Sequence, residues 1–215
     1  MPLVKKTESE FGAIGIWEMM ETLPDLIKHF HFSEKEKKDF DRLDSERKKR
    51  EFLIIRLLTE ELFGKKTGLT YEKSGKPCIE NNGLNISVSH SEKMAAVFIS
   101  RYNIGIDVES TQRNIQKITH RFLHESEWKF IEGNENSSLI ATLIWCAKEA
   151  IYKCAGEKGI IFGKQIIINP PVPFGEELFF GRLVSNNKDK SFKLWNFAFK
   201  NNIVVYCVEE AKTGT

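Results

Sequence analysis

The stretch NIGIDVES, residues 103–110, reads as an apolar strand that carries two acids, Asp107 and Glu109, at alternate positions. Alternation puts both carboxylates on one face while Ile106 and Val108 take the other. Two like charges so close repel, and the arrangement becomes favourable with a divalent cation between them. An all-oxygen pair suits Mg²⁺, which completes its shell with phosphate and water. The plain alternative is a strand end whose polar face lies in water. A second set stands in WCAKEAIYK, residues 145–153, where Glu149 and Lys153 are four apart on one helix face with Lys148 beside it. An exposed i,i+4 pair would be unremarkable. Here the helix also carries Leu143, Ile144, Trp145, Ala147, Ala150 and Ile151, so it is apolar around much of its circumference and charge on it is costly. Glu149 then has the chemistry of a third oxygen ligand and Lys153 that of a phosphate holder.

Further polar groups are less specific. SVSHS, residues 87–91, sets Ser89 and His90 at a strand end, where a histidine can donate to a phosphate oxygen. Adjacent strand residues face opposite ways, which argues against a Ser-His nucleophile pair. Lys35, Lys37, Lys38, Arg47, Lys48, Lys49 and Arg50 alternate with acids and read mainly as a solvated helix face, with one or two free to grip a small phosphorylated ligand. His120 and His124 lack the glutamate of H-E-x-x-H, and neither a Walker A sequence, G-x-G-x-x-G nor a zinc-type cysteine cluster occurs.

The elements that must position these groups follow from periodicity. FGAIGIWEM reads as a strand, and residues 33–64 as two helices capped by Ser33 and Ser45 and stopped by Gly64. LNISVSH and MAAVFIS read as paired strands. The second half repeats the order: GIDVES as strand, one or two helical stretches from Ile115, then a long helix from Ser137 or Ser138 to Gly156. KQIIIN, ELFFGRLV, FKLWNFAF and NIVVYCVEE follow as strands, and NPPVPFGEE as a surface loop. The expected fold is α+β, with two similar subdomains, residues 1–104 and 105–215, and a site in the cleft between them.

Bulk properties narrow the class. With 32 Lys and Arg against 30 Asp and Glu, the net charge is +2, so no global basic excess points to nucleic acid or a membrane surface. Neither a signal peptide nor a membrane span is expected, and a cytoplasmic address follows. Four cysteines without C-x-x-C spacing fit reduced thiols used in packing.

Taken in order, GKP (75–77), NISVSHS (85–91), GIDVE (105–109), RFLHESE (121–127) and WCAKEAIYK (145–153) resemble the 4′-phosphopantetheinyl transferase superfamily, in its long single-chain, surfactin-synthetase-activating type. The resemblance runs over roughly residues 30–165, and the G-[IV]-D-[IV]-E and W-x-x-K-E-[AS]-x-x-K motifs are both complete. It implies two α+β halves in pseudo-two-fold arrangement, each with a three-stranded, mainly antiparallel sheet on helices. It further implies Asp107, Glu109 and Glu149 as Mg²⁺ ligands, and Lys153 and His90 as phosphate contacts. Lys76 and Ser89 would reach the nucleotide end of coenzyme A, and Arg50, with Lys37 a second match, its 3′-phosphate. Glu127 occupies the family's acid position near the metal, although Leu123 and His124 depart from the usual R-F-F-S-x-x-E.

The implied reaction moves the phosphopantetheine arm of coenzyme A to a serine of an apo acyl or peptidyl carrier protein and releases 3′,5′-ADP. Glu149 is the first candidate for the base and Glu109 the second. Phe122, Leu123 and Trp128 are the expected docking patch, and one chain holding both halves implies a monomer. Two rival readings are a non-catalytic coenzyme A or nucleotide-binding module and a nucleic-acid-binding protein using the basic helices.

Overall fold

The computed structural model describes residues 3–73, 75–80, 83–170, 178–185 and 189–211. Strands β1 (Leu3–Ser9) and β2 (Gly12–Glu18) form a hairpin that turns at Gly12, whose φ of 138° lies where side chains do not go. Three helices follow, α1 (Leu23–His29), α2 (Glu34–Asp41) and α3 (Glu46–Phe63). Ser33 and Glu36 close a capping box on α2, Ser45 caps α3, and Gly64 ends α3 in the left-handed region at φ 71°. The chain then adds β3 (Leu69–Tyr71), β4 (Pro77–Ile79), β5 (Asn85–His90) and β6 (Met94–Ser100), giving an antiparallel sheet in the order β1-β2-β6-β5-β4-β3.

The second sheet begins at β7 (Ile104–Ser110) and runs β7-β11-β10-β9-β8, again antiparallel, with β8 (Ile166–Asn169), β9 (Phe179–Val184), β10 (Asp189–Phe199) and β11 (Asn202–Glu209). Between β7 and β8 lie a 3₁₀ turn (Ile115–Ile118), α4 (Thr119–Phe122), a second 3₁₀ turn (Glu125–Phe130), the long α5 (Ser137–Ala155) and α6 (Phe162–Gln165).

The mixed α+β architecture with two antiparallel sheets agrees with the expectation, but three strands per sheet is an undercount. The first sheet has six and the second five among the described residues. The hairpin partner LVKKTES was missed because its alternation is weakly apolar, and β3 and β4 are too short, at three residues each, to show a period. α1 was also missed, although Thr22 caps it and Pro24 stands in its first turn. The stretch from Ile115 breaks into short turns because His124 accepts from Ser126 N and Glu127 caps the His124 N–H, starting a new turn there. Most of NPPVPFGEE lies outside the described residues.

Three apolar clusters hold these layers. α3 buries Leu53, Ile54, Leu57 and Leu58 against the first sheet, and α5 buries Ile140, Ile144, Ala147 and Ile151 against the second. The third joins the facing sides of the two sheets through Ile14, Ile16, Phe98, Ile106, Val108 and Val204. Each such aliphatic side chain contributes about 1.5–3 kcal/mol when fully buried. α5 lies against β7 so closely that a Cβ on Gly105 would stand 1.9 Å from the Ala150 carbonyl oxygen. Only glycine allows that approach, and it brings the acids of β7 beside those of α5. Among the described residues no helix is long and apolar enough to cross a membrane.

Candidate active site

β7 and α5 bring Asp107, Glu109, Glu149 and Lys153 together, as their strand and helix periods require. Lys153 does not pair with Glu149 along the helix. Its ammonium donates to Asp107 Oδ1 at 2.7 Å and to the Ile106 carbonyl at 3.1 Å. Asp107 is buried, and its Oδ1 also accepts the hydroxyl of Ser89 at 2.7 Å, while Oδ2 is buried with no hydrogen-bond partner. Glu109 Oε1 accepts from the Trp145 indole at 2.9 Å and from Arg113 at 2.5 Å. Trp145 and Arg113 were not singled out as site residues. The signal for Trp145 was its place four residues ahead of Glu149, one turn along the same helix.

Crowded acids at a half-buried site hold protons tightly. Burial pushes the Glu149 carboxyl up to about 7, the charge on Asp107 adds to this, Lys153 opposes it, and Glu109 adds again. Glu109 is raised by burial and then by Asp107, against the pull of Trp145, Arg113 and Lys153. His90 lies at the end of β5, on the opposite face from Ser89, with Nδ1 3.3 Å from Glu51 Oε1. Burial lowers its pKa, which outweighs the opposing charge of Glu51, so the ring is mainly neutral at neutral pH. Arg47 takes the same Glu51 oxygen at 2.8 Å.

Lys76 and Lys153 line one pocket of about 210 Å³, with Pro77, Val88, Tyr152, Gly156 and the charged Glu157 and Lys158 among the rest of its wall. A larger open groove of about 780 Å³, around Phe11, Tyr102 and Lys190, meets β7 only at its N-terminal approach near Asn103 and is lined by none of the clustered acids. The smaller pocket reaches the cluster through Lys153, although none of Asp107, Glu109 and Glu149 lines it. Arg50, on α3, donates to the Met19 carbonyl at 2.7 Å and keeps a buried Nε–H with no acceptor. Lys37, exposed on α2, pairs with Asp41 on the same helix.

Two expectations fail here. Glu127 is not an acid near a metal: its carboxylate meets the Lys148 ammonium at 2.8 Å, and both side chains have zero exposure. The backbone N–H groups of His124 and Ile168 take its remaining capacity, and Lys148 also donates to the Phe162 and Ile166 carbonyls. Phe122 and Leu123 are buried against α5, with Phe122 edge-on to Trp145, so they cannot form a docking patch; Trp128, the third residue of that patch, is half-buried against the same cluster. Apolar side chains beside a cleft more readily complete the core than face a partner.

Among the described residues no group of three or more His, Cys, Asp or Glu side chains forms a ready metal-holding set. A search of curated proteins finds no match for the chain. Residues 103–170, from the entry to β7 through α5 and β8, match the family model of the 4′-phosphopantetheinyl transferase superfamily, which supports phosphopantetheine transfer as the general activity of this site.

Proposed function

We propose that the protein transfers the 4′-phosphopantetheine arm of coenzyme A to a serine hydroxyl of an apo acyl or peptidyl carrier protein, as the long single-chain type of that superfamily does. The observation that carries this reading is the convergence of Asp107, Glu109, Glu149 and Lys153, within the matched segment, beside a pocket that also holds Lys76. The serine oxygen bonds to the β-phosphorus, the bond to the bridging pyrophosphate oxygen breaks, and 3′,5′-ADP leaves.

The chemistry of the donors suits Mg²⁺, although Asp107, Glu109 and Glu149 are not drawn into a ready set in this structure. The donor set is all carboxylate oxygen, and Asp107 Oδ2 is a buried acceptor without a hydrogen-bond partner, the Cys146 thiol standing near the same carboxylate. Asp107, Glu109 and Glu149 would hold the cation, which when bound neutralises charge on the pyrophosphate and on the leaving group. Lys76, Lys153 and Lys158 line the pocket that would take the polyphosphate, and His90, within electrostatic reach of Lys153 and Asp107, is a further candidate phosphate contact outside that lining. Arg50 is the candidate for the 3′-phosphate through the guanidinium N–H groups that the Met19 carbonyl does not take. Glu149 is the first candidate to accept the serine proton, its carboxyl being pushed up by burial and by Asp107 before any cation binds. Glu109 is the second candidate, because Trp145 and Arg113 already occupy its Oε1.

Incubating the protein with Mg²⁺, coenzyme A and an apo carrier, followed by mass spectrometry of the carrier, tests the proposal. A phosphopantetheine adduct dependent on all three is the expected result. Coenzyme A binding without adduct would mark a non-catalytic binding module. Salt-sensitive nucleic-acid binding, indifferent to Mg²⁺ and coenzyme A, would move the function to the basic helices.

A further inference from the structure

β7 is the edge strand of its sheet, with β11 on one side only. On its other side two N–H groups are met by serine hydroxyls of β5 in place of a strand. Ser87 Oγ accepts from Ile106 N at 3.0 Å, and Ser89 Oγ accepts from Val108 N at 3.3 Å. The two serines are 4 % and 6 % exposed, so these bonds form away from competing water. A serine hydroxyl has one proton to donate, and that of Ser89 goes to Asp107 Oδ1. The same oxygen accepts the Lys153 ammonium, which leaves Oδ2 buried without a hydrogen-bond partner and with the Cys146 thiol near the carboxylate.

We propose that Ser89 is a positioning residue for the cation: with Lys153 it occupies Oδ1 of Asp107 and so presents Oδ2 as the ligand atom. The assignment rests on the Mg²⁺ reading of Asp107 given above. A carboxylate free to turn about its Cβ–Cγ bond offers either oxygen. Two donors on one oxygen set the plane, so the ordering cost is met before the cation arrives. Ser89 cannot donate to a coenzyme A phosphate without releasing Asp107, and its place is therefore behind the metal ligand and not at the nucleotide end. Ser87, one pleat away, makes the matching bond to Ile106 N and touches no acid through it, so its role is register between the sheets.

Mn²⁺ binding to the full chain, measured by electron paramagnetic resonance and calorimetry without coenzyme A, reads this directly. Ser89→Ala should weaken Mn²⁺ binding by about 10–100-fold, the usual effect of removing a group that orients a ligand. Ser89→Thr, which keeps the hydroxyl, should bind as the wild type does. Ser87→Ala should lower the urea midpoint and leave the Mn²⁺ affinity unchanged. Wild-type Mn²⁺ affinity in folded Ser89→Ala, or equal weakening by Ser87→Ala, overturns the role of Ser89 while leaving the transferase reading intact. A wild-type chain that transfers phosphopantetheine yet binds no Mn²⁺ overturns the metal reading and the positioning role together. Should Ser89→Ala not fold, Ser89→Cys carries the test, since its weak S–H donor should loosen Mn²⁺ binding, and unchanged affinity would sink the proposal.

Discussion

Lys148 and Glu127 form an ion pair at 2.8 Å with neither side chain reaching solvent. The pair ties α5 to the 3₁₀ turn at Glu125–Phe130 and, through the Ile166 carbonyl and the Ile168 N–H, to β8. It explains why a lysine stands beside Glu149 on a helix that is otherwise apolar on that side: it is spent inside the protein.

Removing one partner strands the other charge. Glu127→Ala or Lys148→Ala should each cost about 3–5 kcal/mol, visible as a lower urea midpoint. Arg182→Ala, which breaks the exposed pair with Asp189, should cost no more than about 1 kcal/mol. Equal effects in the two cases would show that the buried pair is not the anchor of α5.

Asp107→Asn keeps shape and loses charge. It should reduce transfer by more than the ~100-fold that changes behind a ligand produce. Its thermal midpoint should stay close to wild type, because relief of repulsion with Glu149 and Glu109 offsets the weakened Lys153 contact. Near-normal turnover by the folded variant would dismiss Asp107 as a ligand.

Gly105→Ala drives a methyl into the Ala150 backbone, which cannot give way as a side-chain end can. The variant should lose stability by an amount in the ~1–3 kcal/mol range of overpacked cores, and transfer should fall as β7 and α5 are forced apart. An alanine variant with wild-type stability and rate would contradict the close approach.

Protonation of His90 should couple to anion binding. Burial keeps its pKa below the ordinary value near 6.5 in the free protein, and a bound polyphosphate raises it. A group whose pKa rises on binding takes up a proton, so affinity for 3′,5′-ADP should strengthen as pH falls through the region around 6.5. Calorimetry without Mg²⁺, in buffers of different ionisation enthalpy, should show this uptake in the wild type and less of it in His90→Gln. Identical proton counts for the two proteins would remove His90 from the anion site.

Local features were readable along the chain. Period two placed Asp107 and Glu109 on one face of β7, and i,i+4 spacing placed Glu149 and Lys153 on one face of α5. Ser33, Ser45, Gly64 and Gly156 mark helix ends where the structure has them. These follow from backbone geometry within a segment, so a short stretch of sequence contains the whole cause.

Partner choice was not readable in the same way. Lys153 meets Asp107 instead of Glu149, Lys148 meets Glu127 instead of solvent, and Ser89 gives its proton to a residue 18 positions away. Each depends on apolar burial bringing separate segments within about 3 Å, where a buried charge or hydroxyl must find whichever partner the packing supplies. The chain's own periodicity therefore states which residues share a face, and the close approach of α5 to β7 at Gly105 decides which of them touch.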